Sequence, residues 1–323
     1  SQASVIGNEF GFIFLQTVTQ LDEEELIYIL ETAIRRSLID EIGGQTEDRY
    51  IFHHNTIQQI LYQNLSKRRK RQLHEKVAEA LQKCFSGMIE KVTPQIAYHY
   101  RNAGVAEKTF EYSVRAAEQE RQAGSASEQS NYLEWAKDAL ADMPTDIHDK
   151  KFLRLLSTYR LGLGSLASLR GRADVALSHL EEALMISQKV AEPHLHGSVL
   201  KEMGMLQLLL TDYPKAQQYF TEAIAIFERS GDSVQRLAAL SGFTLSKSFN
   251  PKELEGAARW LMAVAGTSSQ AKGFAYTALA LADMQVGLLG QAIKHYQRAL
   301  EHLEIAGETS QYTRTLGLLG TTY

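Results

Sequence analysis

Small and large apolar residues recur in a fixed order through the C-terminal two-thirds of the chain. Leu163-Gly164 is followed by Gly171, Ala176, Leu180 and Ala183, and forty positions later Met203-Gly204 is followed by Ala216, Phe220 and Ala223. A further copy runs Leu279-Ala280, Gly287, Ala292, Tyr296 and Ala299, while Leu316, Leu319-Gly320 and Tyr323 open another that the chain end cuts short. Between them lies a degenerate copy with Gly242 at the first-helix position, Ala257 or Ala258 at the second, and a longer turn carrying Asn250-Pro251. A period of 38 to 40 residues predicts paired helices, each pair burying its apolar face against its neighbours. Glycine or alanine at one place in the first helix and alanine at two places in the second allow close helix approach. Leu180, Phe220 and Tyr296 are then the large residues expected between repeats. A weaker pair comes earlier, with Ile96-Ala97, Tyr100, Gly104 and Ala116 in the matching places and Thr109 where alanine is usual. Ser127–Leu140 reads as an amphipathic helix stopped at Pro144. Helical repeats are therefore expected from about residue 88 to the end.

Residues 1–87 carry a different pattern. Asp22-Glu23-Glu24-Glu25 starts a helix, with an N-cap acid and further acids at the positive end of the helix dipole; its end is expected near Ser37. Two short β runs around Gly43-Gly44 predict a hairpin over about residues 38–53. Helices over about 56–64 and 67–85 follow. Helix, helix, hairpin, helix is the order of a winged helix-turn-helix domain.

Charge and composition narrow the function. The 323 residues are 44% hydrophobic and 22% charged with five prolines, and the net charge is −4; this is the profile of an ordered soluble protein with no basic field for phosphate backbones or anionic lipid. Residues 1–90 hold 13 acids against 10 bases, so the helix before the hairpin would be repelled by DNA. The run Lys67-Arg68-Arg69-Lys70-Arg71 argues the other way, but it opens a later helix whose apolar spacing (Leu73, Val77, Leu81) buries only one face. DNA is thus an unfavoured partner. No stretch approaches the roughly 20 apolar residues of a membrane span, and the start lacks the basic-then-apolar layout of a signal peptide, so a cytoplasmic location is expected. The single cysteine, Cys84, lies in an apolar helical stretch and reads as a small core residue.

Catalytic signals fail on context. Gly162-Leu163-Gly164-Ser165 resembles part of a dinucleotide fingerprint but sits inside a helical repeat, without the preceding strand and turn. His53-His54 and His194-x-His196 lack the spacing and the nearby acid of a metalloprotease helix, so no metal is expected. His74, His99, His179, His295 and His302 are scattered on helices without a partnered nucleophile. No Gly-x-x-x-x-Gly-Lys-Ser/Thr loop is present to cradle phosphates. These residues predict a non-enzymatic protein without a cofactor of its own.

The repeat residues resemble those of tetratricopeptide repeats. Their period exceeds the usual ~34 residues, which implies helices about a turn longer, similar to the long-helix variants of signalling proteins. Ala3–Phe10, Tyr50–Tyr62, Arg71–Leu81 and Ile96-Ala97-Tyr98-His99-Tyr100 with Ala103-Gly104 resemble the winged-helix region of STAND-class signalling ATPases and its continuation into a repeat sensor. In that group an upstream P-loop ATPase precedes the winged helix, often with a class III nucleotidyl cyclase, a protein kinase or a DNA-binding output domain. The wording Thr56-Ile57-Gln58-Gln59 is most similar to the cyclase-fused members. The resemblance implies that ATP or ADP belongs to a domain outside this sequence, an ATPase acting in cis. It also implies that His54, at the strand-to-helix junction, contacts the β-phosphate of ADP, although Asn55 and Gln58 depart from residues common in branches of the group.

The fold expected is therefore mostly α: a winged-helix domain (1–87) followed by a right-handed α-α superhelix of long tetratricopeptide-like repeats (88–323). First-helix side chains line the concave side of such an array. Counted from the repeat glycines, Thr158, Ser165, Lys201, Met205, Leu208, Phe274, Thr277 and Gln285 should face a groove for a protein or peptide ligand. Self-association, a DNA-reading regulator and a small-molecule sensor with its ligand inside the array remain as further readings.

Overall fold

The computed structural model describes residues 1–43, 48–144, 149–247 and 250–322; the side chains of residues 309 and 310 also fall outside the description. The turn expected at Gly43-Gly44 and the repeat residue Tyr323 therefore lie partly or wholly outside the described residues. The chain divides into two compact units, Ser1–Ala116 with Asn131–Thr145, and Ala117–Ser130 with Asp146–Tyr323.

The first unit starts with α1 (Ala3–Ile6), β1 (Glu9–Gly11), α2 (Phe12–Thr19) and α3 (Glu23–Arg35), followed by β2 (Ile39–Ile42), β3 (Arg49–Phe52), α4 (Asn55–Gln63), α5 (Lys67–Cys84) and α6 (Ile89–Ala103). Asp22 caps α3 as its sequence predicts, its carboxylate accepting the Glu24 N–H at 2.9 Å. The hairpin forms, and β1 adds a third strand in the antiparallel order β1-β3-β2, with Phe10 opposite Tyr50. This strand was not legible from alternation because it is three residues long. Its Phe10 ring lies 5.9 Å from Tyr50 and 5.7 Å from Phe52, over a core with Leu15, Leu26, Leu30 and Ile39.

A second core joins Leu73, Val77, Ala78 and Leu81 of α5 to Val92, Ile96, Ala97 and Tyr100 of α6. It draws α6 into the first unit, which runs on to Ala116 rather than stopping at the expected boundary near 87. Cys84 also departs from expectation. It is the last residue of α5, it is exposed, and its Sγ sits 3.7 Å from the Thr17 hydroxyl. Cys84 stays on the side of α5 that carries Leu73, Val77 and Leu81, but as the final residue of the helix it lies beyond the buried stretch of that face.

Two long helices, α7 (Ala106–Ala123) and α8 (Ala126–Ala141), contribute residues to both units. The second unit continues with α9 (Lys150–Leu169), α10 (Ala173–Val190), α11 (Pro193–Leu209), α12 (Tyr213–Ser230), α13 (Ser233–Leu245), α14 (Pro251–Val264), α15 (Ser269–Gln285), α16 (Leu289–Ile305) and α17 (Thr309–Thr322). Helices α9 and α10, α11 and α12, and α15 and α16 form antiparallel hairpins, and the first helices α9, α11, α13 and α15 touch in succession. The small residues do what their spacing predicts. A β-carbon on Gly164 would lie 2.6 Å from Leu180, and one on Gly204 would lie 2.8 Å from the Phe220 ring. Gly242 of the next repeat meets the same ring, so Phe220 is wedged between two repeats. In the degenerate repeat Ala258, fully buried beside Leu254 and Leu261, takes the small-residue place. Left-handed residues end the helices, both within hairpins and between them. Gly171, Gly231 and Gly287 take this conformation, where glycine carries no Cβ penalty. Ala191 and Thr211 adopt it as well, at φ of 54° and 60°. Among the described residues no helix is long and apolar enough to cross a membrane.

Candidate functional site

The second unit holds a strip of polar side chains drawn from five segments. Glu118 and Arg121 lie three residues apart on one face of α7, and the Arg121 guanidinium is forked onto Glu118 through two bonds of 2.8 Å. It also reaches Glu202 of α11 at 3.0 Å. Beside them the Lys201 ammonium donates to the Gln235 carboxamide of α13 at 2.9 Å. Farther along, the Gln270 amide of α15 donates to Glu308, which precedes α17. Gln235 and Gln270 each fall in the first turn of a first helix, so the starts of successive repeats supply successive rungs.

The electrostatics of the strip are uneven. Burial pushes the Glu118 carboxyl up, but the adjacent Arg121 charge and hydrogen bonds outweigh it and hold the group below the usual carboxylate range. For Arg121 burial is outweighed by Glu118 and Glu202, so its guanidinium is held more firmly charged than usual. Lys201 goes the other way. Burial lowers its ammonium, and the attraction of Glu202 only partly offsets this. Burial likewise raises Glu308, against the Gln270 bond and the Lys201 charge. Arg121 is satisfied by two carboxylates, whereas Lys201 carries its charge with one neutral hydrogen-bond partner among the described residues. Such an ammonium retains unused donors, and a buried charge gains from any acceptor that reaches it.

The groove residues expected from the repeat register divide. Lys201 lies in the strip, and Met205, one turn on, is partly buried against the neighbouring apolar cluster. Thr158 is partly exposed, with its hydroxyl turned back to the Arg154 carbonyl at 3.0 Å, and Ser165 is buried. Gln285 is exposed at the end of α15. Leu208, Phe274 and Thr277 require correction as lining residues. Leu208 and Phe274 belong to the apolar core of the central repeats, and Thr277 is 1% exposed, bonded to the Gly273 carbonyl and facing Thr315 at 3.3 Å. A first helix presents one face to the groove and the adjoining face to the next repeat, and these three positions fall on the second. Sequence reasoning missed Glu118, Arg121, Glu202, Gln235, Gln270 and Glu308. Charges three apart on α7 and polar residues in successive first turns were the available signals.

In the first unit His54 is the exposed N-cap of α4, and its side chain makes no capping bond. Its ring lies 4.6 Å from that of His53, which pairs with Asp40 at 2.7 Å. His74 and His99, scattered in sequence, meet in space. Their Nδ1 atoms are 2.9 Å apart, and the Tyr62 hydroxyl is 3.0 Å from His74 Nε2. Burial lowers His74 to about 4, with Lys70 adding to the shift, and lowers His99 to about 3, with His74 adding.

Residues 154–229 match the tetratricopeptide repeat family. No curated protein sequence matches the chain. Similar solved structures include BtubC (BKLC) from P. vanneervenii, 15% identical over 75% of this chain and 92% of that one, with a TM-score of 0.45. A Rap protein complexed with Competence and Sporulation Factor is 15% identical over 83% of this chain and 78% of that one, with a TM-score of 0.46. A Signal Transduction ATPase with Numerous Domains (STAND) protein with a tetratricopeptide repeat sensor, from Pyrococcus horikoshii, is 13% identical over 96% of this chain and 64% of that one, with a TM-score of 0.38. The nested glycines and successive hairpins of the second unit are thus tetratricopeptide-like, and residues 154–229 are the part that matches the tetratricopeptide repeat family.

Proposed function

We propose that the second unit binds a protein or peptide segment along the polar strip, as the regulatory part of a larger signalling protein. The observation that carries this reading is Lys201, a desolvated ammonium with one neutral hydrogen-bond partner, beside rungs contributed by successive repeats. A row of amide and carboxylate groups suits an extended backbone, and Lys201 supplies an anchoring charge. The full chain used as bait, followed by calorimetry on the captured partner, tests it. Lys201→Met keeps the apolar stem and removes the charge, and it is expected to weaken binding about tenfold, the worth of one hydrogen bond to a charged group. Met205→Ala is expected to weaken it less. Unchanged affinity in both variants, with unchanged melting temperature, removes the strip from the account.

The first unit in this reading is a winged helix that couples the repeats to an ATPase domain in cis. The order α1, β1, α2, α3, β2, β3 supports it, and His54 is the residue that meets bound ADP. Protein contact is favoured over DNA by the surface of α3, which exposes Ile27, Tyr28 and Ile29 beside Glu23, Glu24 and Glu25, a face that suits a protein neighbour and repels phosphate. The exposed basic start of α5, Lys67–Arg71, is the specific observation for a DNA-reading alternative. A duplex affinity that falls steeply with salt and disappears when those five charges are neutralised is the result that would establish it.

A further inference from the structure

A cleft of about 460 Å³ opens between the C-terminal ends of α10 and α12 and the start of α11, away from the residues of the polar strip and within the size range of small-molecule sites. Pro193 and Ile226 are among its apolar walls, and Arg229 and His196 among its polar ones. Two features give it a chemical preference. The first is charge. Glu192 at the rim is neutralised by Arg154 at 2.8 Å, whereas Arg229 spends its Nε on the Ala225 carbonyl at 3.1 Å and has no carboxylate partner among the described residues. The second is a fixed tautomer. The fully buried Ser187 hydroxyl lies 2.9 Å from both the Leu184 carbonyl and His196 Nδ1. A carbonyl only accepts, so the single hydroxyl proton goes to Leu184, and His196 donates its Nδ1–H to Ser187 Oγ. Burial keeps this imidazole neutral, although the Glu222 charge opposes the shift. A neutral ring protonated at Nδ1 carries a bare Nε2 that accepts a hydrogen bond.

We propose that this cleft binds a small organic acid: its anionic group pairs with the two free Nη groups of Arg229, its apolar body lies on Pro193 and Ile226, and its hydroxyl or amide N–H donates to His196 Nε2. The reading is independent of peptide binding along the polar strip.

The probe is 4-hydroxyphenylacetate, which carries all three features, titrated into the full chain by calorimetry and by NMR of the histidine rings. Phenylacetate lacks the donor, and tyramine replaces the anion by a cation on the same body. The expected order is 4-hydroxyphenylacetate, then phenylacetate, with tyramine not binding. Arg229 is exposed, so Arg229→Gln is expected to fold normally and to weaken the acid about fivefold or more, the loss of one charge-assisted contact. His196→Phe is expected to abolish the preference for the hydroxylated acid. The proposal is overturned if neither acid binds saturably at millimolar concentration, if tyramine binds as well as the acids, or if binding survives Arg229→Gln unchanged.

Discussion

At the scale of single residues, the pair His74 and His99 shows what sequence alone conceals. The two lie 25 positions apart on different helices, and nothing in their spacing announces that their Nδ1 atoms share one proton at 2.9 Å. Two neutral rings make that bond, whereas two charged rings would place a proton on each facing nitrogen. The folded values of about 4 and about 3 lie below the ordinary 6.5, so below pH 6.5 the unfolded chain binds protons that the folded chain refuses. The stabilising contribution is complete above pH 6.5 and is lost as pH falls toward 4. Urea unfolding at pH 7.5 and pH 5 is expected to differ by roughly 2–4 kcal/mol on this account. Replacing both histidines by Phe should flatten that difference; an equal slope in the double variant would remove the pair from the explanation. Lys201 was reached by counting from the repeat glycines, which gives its place on α11 but not its partner Gln235 on α13. Thr277, equally polar, was misread because its hydroxyl is satisfied within the stack by Gly273 and Thr315, a satisfaction that only the neighbouring repeat reveals.

At the scale of elements, the helix pairs were legible because their defining residues are constrained by contact rather than by propensity. Gly204 has no room for a methyl group, with the Phe220 ring 2.8 Å from the place where it would sit. Gly204→Ala is therefore expected to destabilise the protein by about 1–3 kcal/mol through overpacking, even though alanine is the better helix former. Combining it with Phe220→Leu should recover part of that loss, seen as a favourable coupling energy in a double-mutant cycle by thermal unfolding; strict additivity would show that the two residues do not compete for the same space. The three-residue β1 lies at the other extreme. Its place is fixed by pairing with Tyr50 and Ile51, partners 40 residues away, and three residues hold too few alternations to register as a strand.

At the scale of the whole molecule, the repeats form a chain of nearest-neighbour contacts, while the unit boundary falls inside α7 and α8 rather than at a linker. The sequence places the change near 87 because the repeat spacing begins there, yet packing assigns α6 by its shared core with α5. In the second unit α17 is held by the two helices before it. Leu319 packs with Ala280, Ala292 and Tyr296, and the Thr315 hydroxyl faces Thr277. Ending the chain at Glu308 is expected to raise amide exchange in α15 and α16 while leaving α9 to α12 protected, as nearest-neighbour coupling requires. Uniform loss of protection across the unit would instead indicate one indivisible cooperative block. Finally, the exposed thiol at the end of α5 has a practical consequence. These 323 residues contain one cysteine, so a maleimide dye attaches at a single address without mutagenesis, and its emission beside Thr17 reports on the α2–α5 seam.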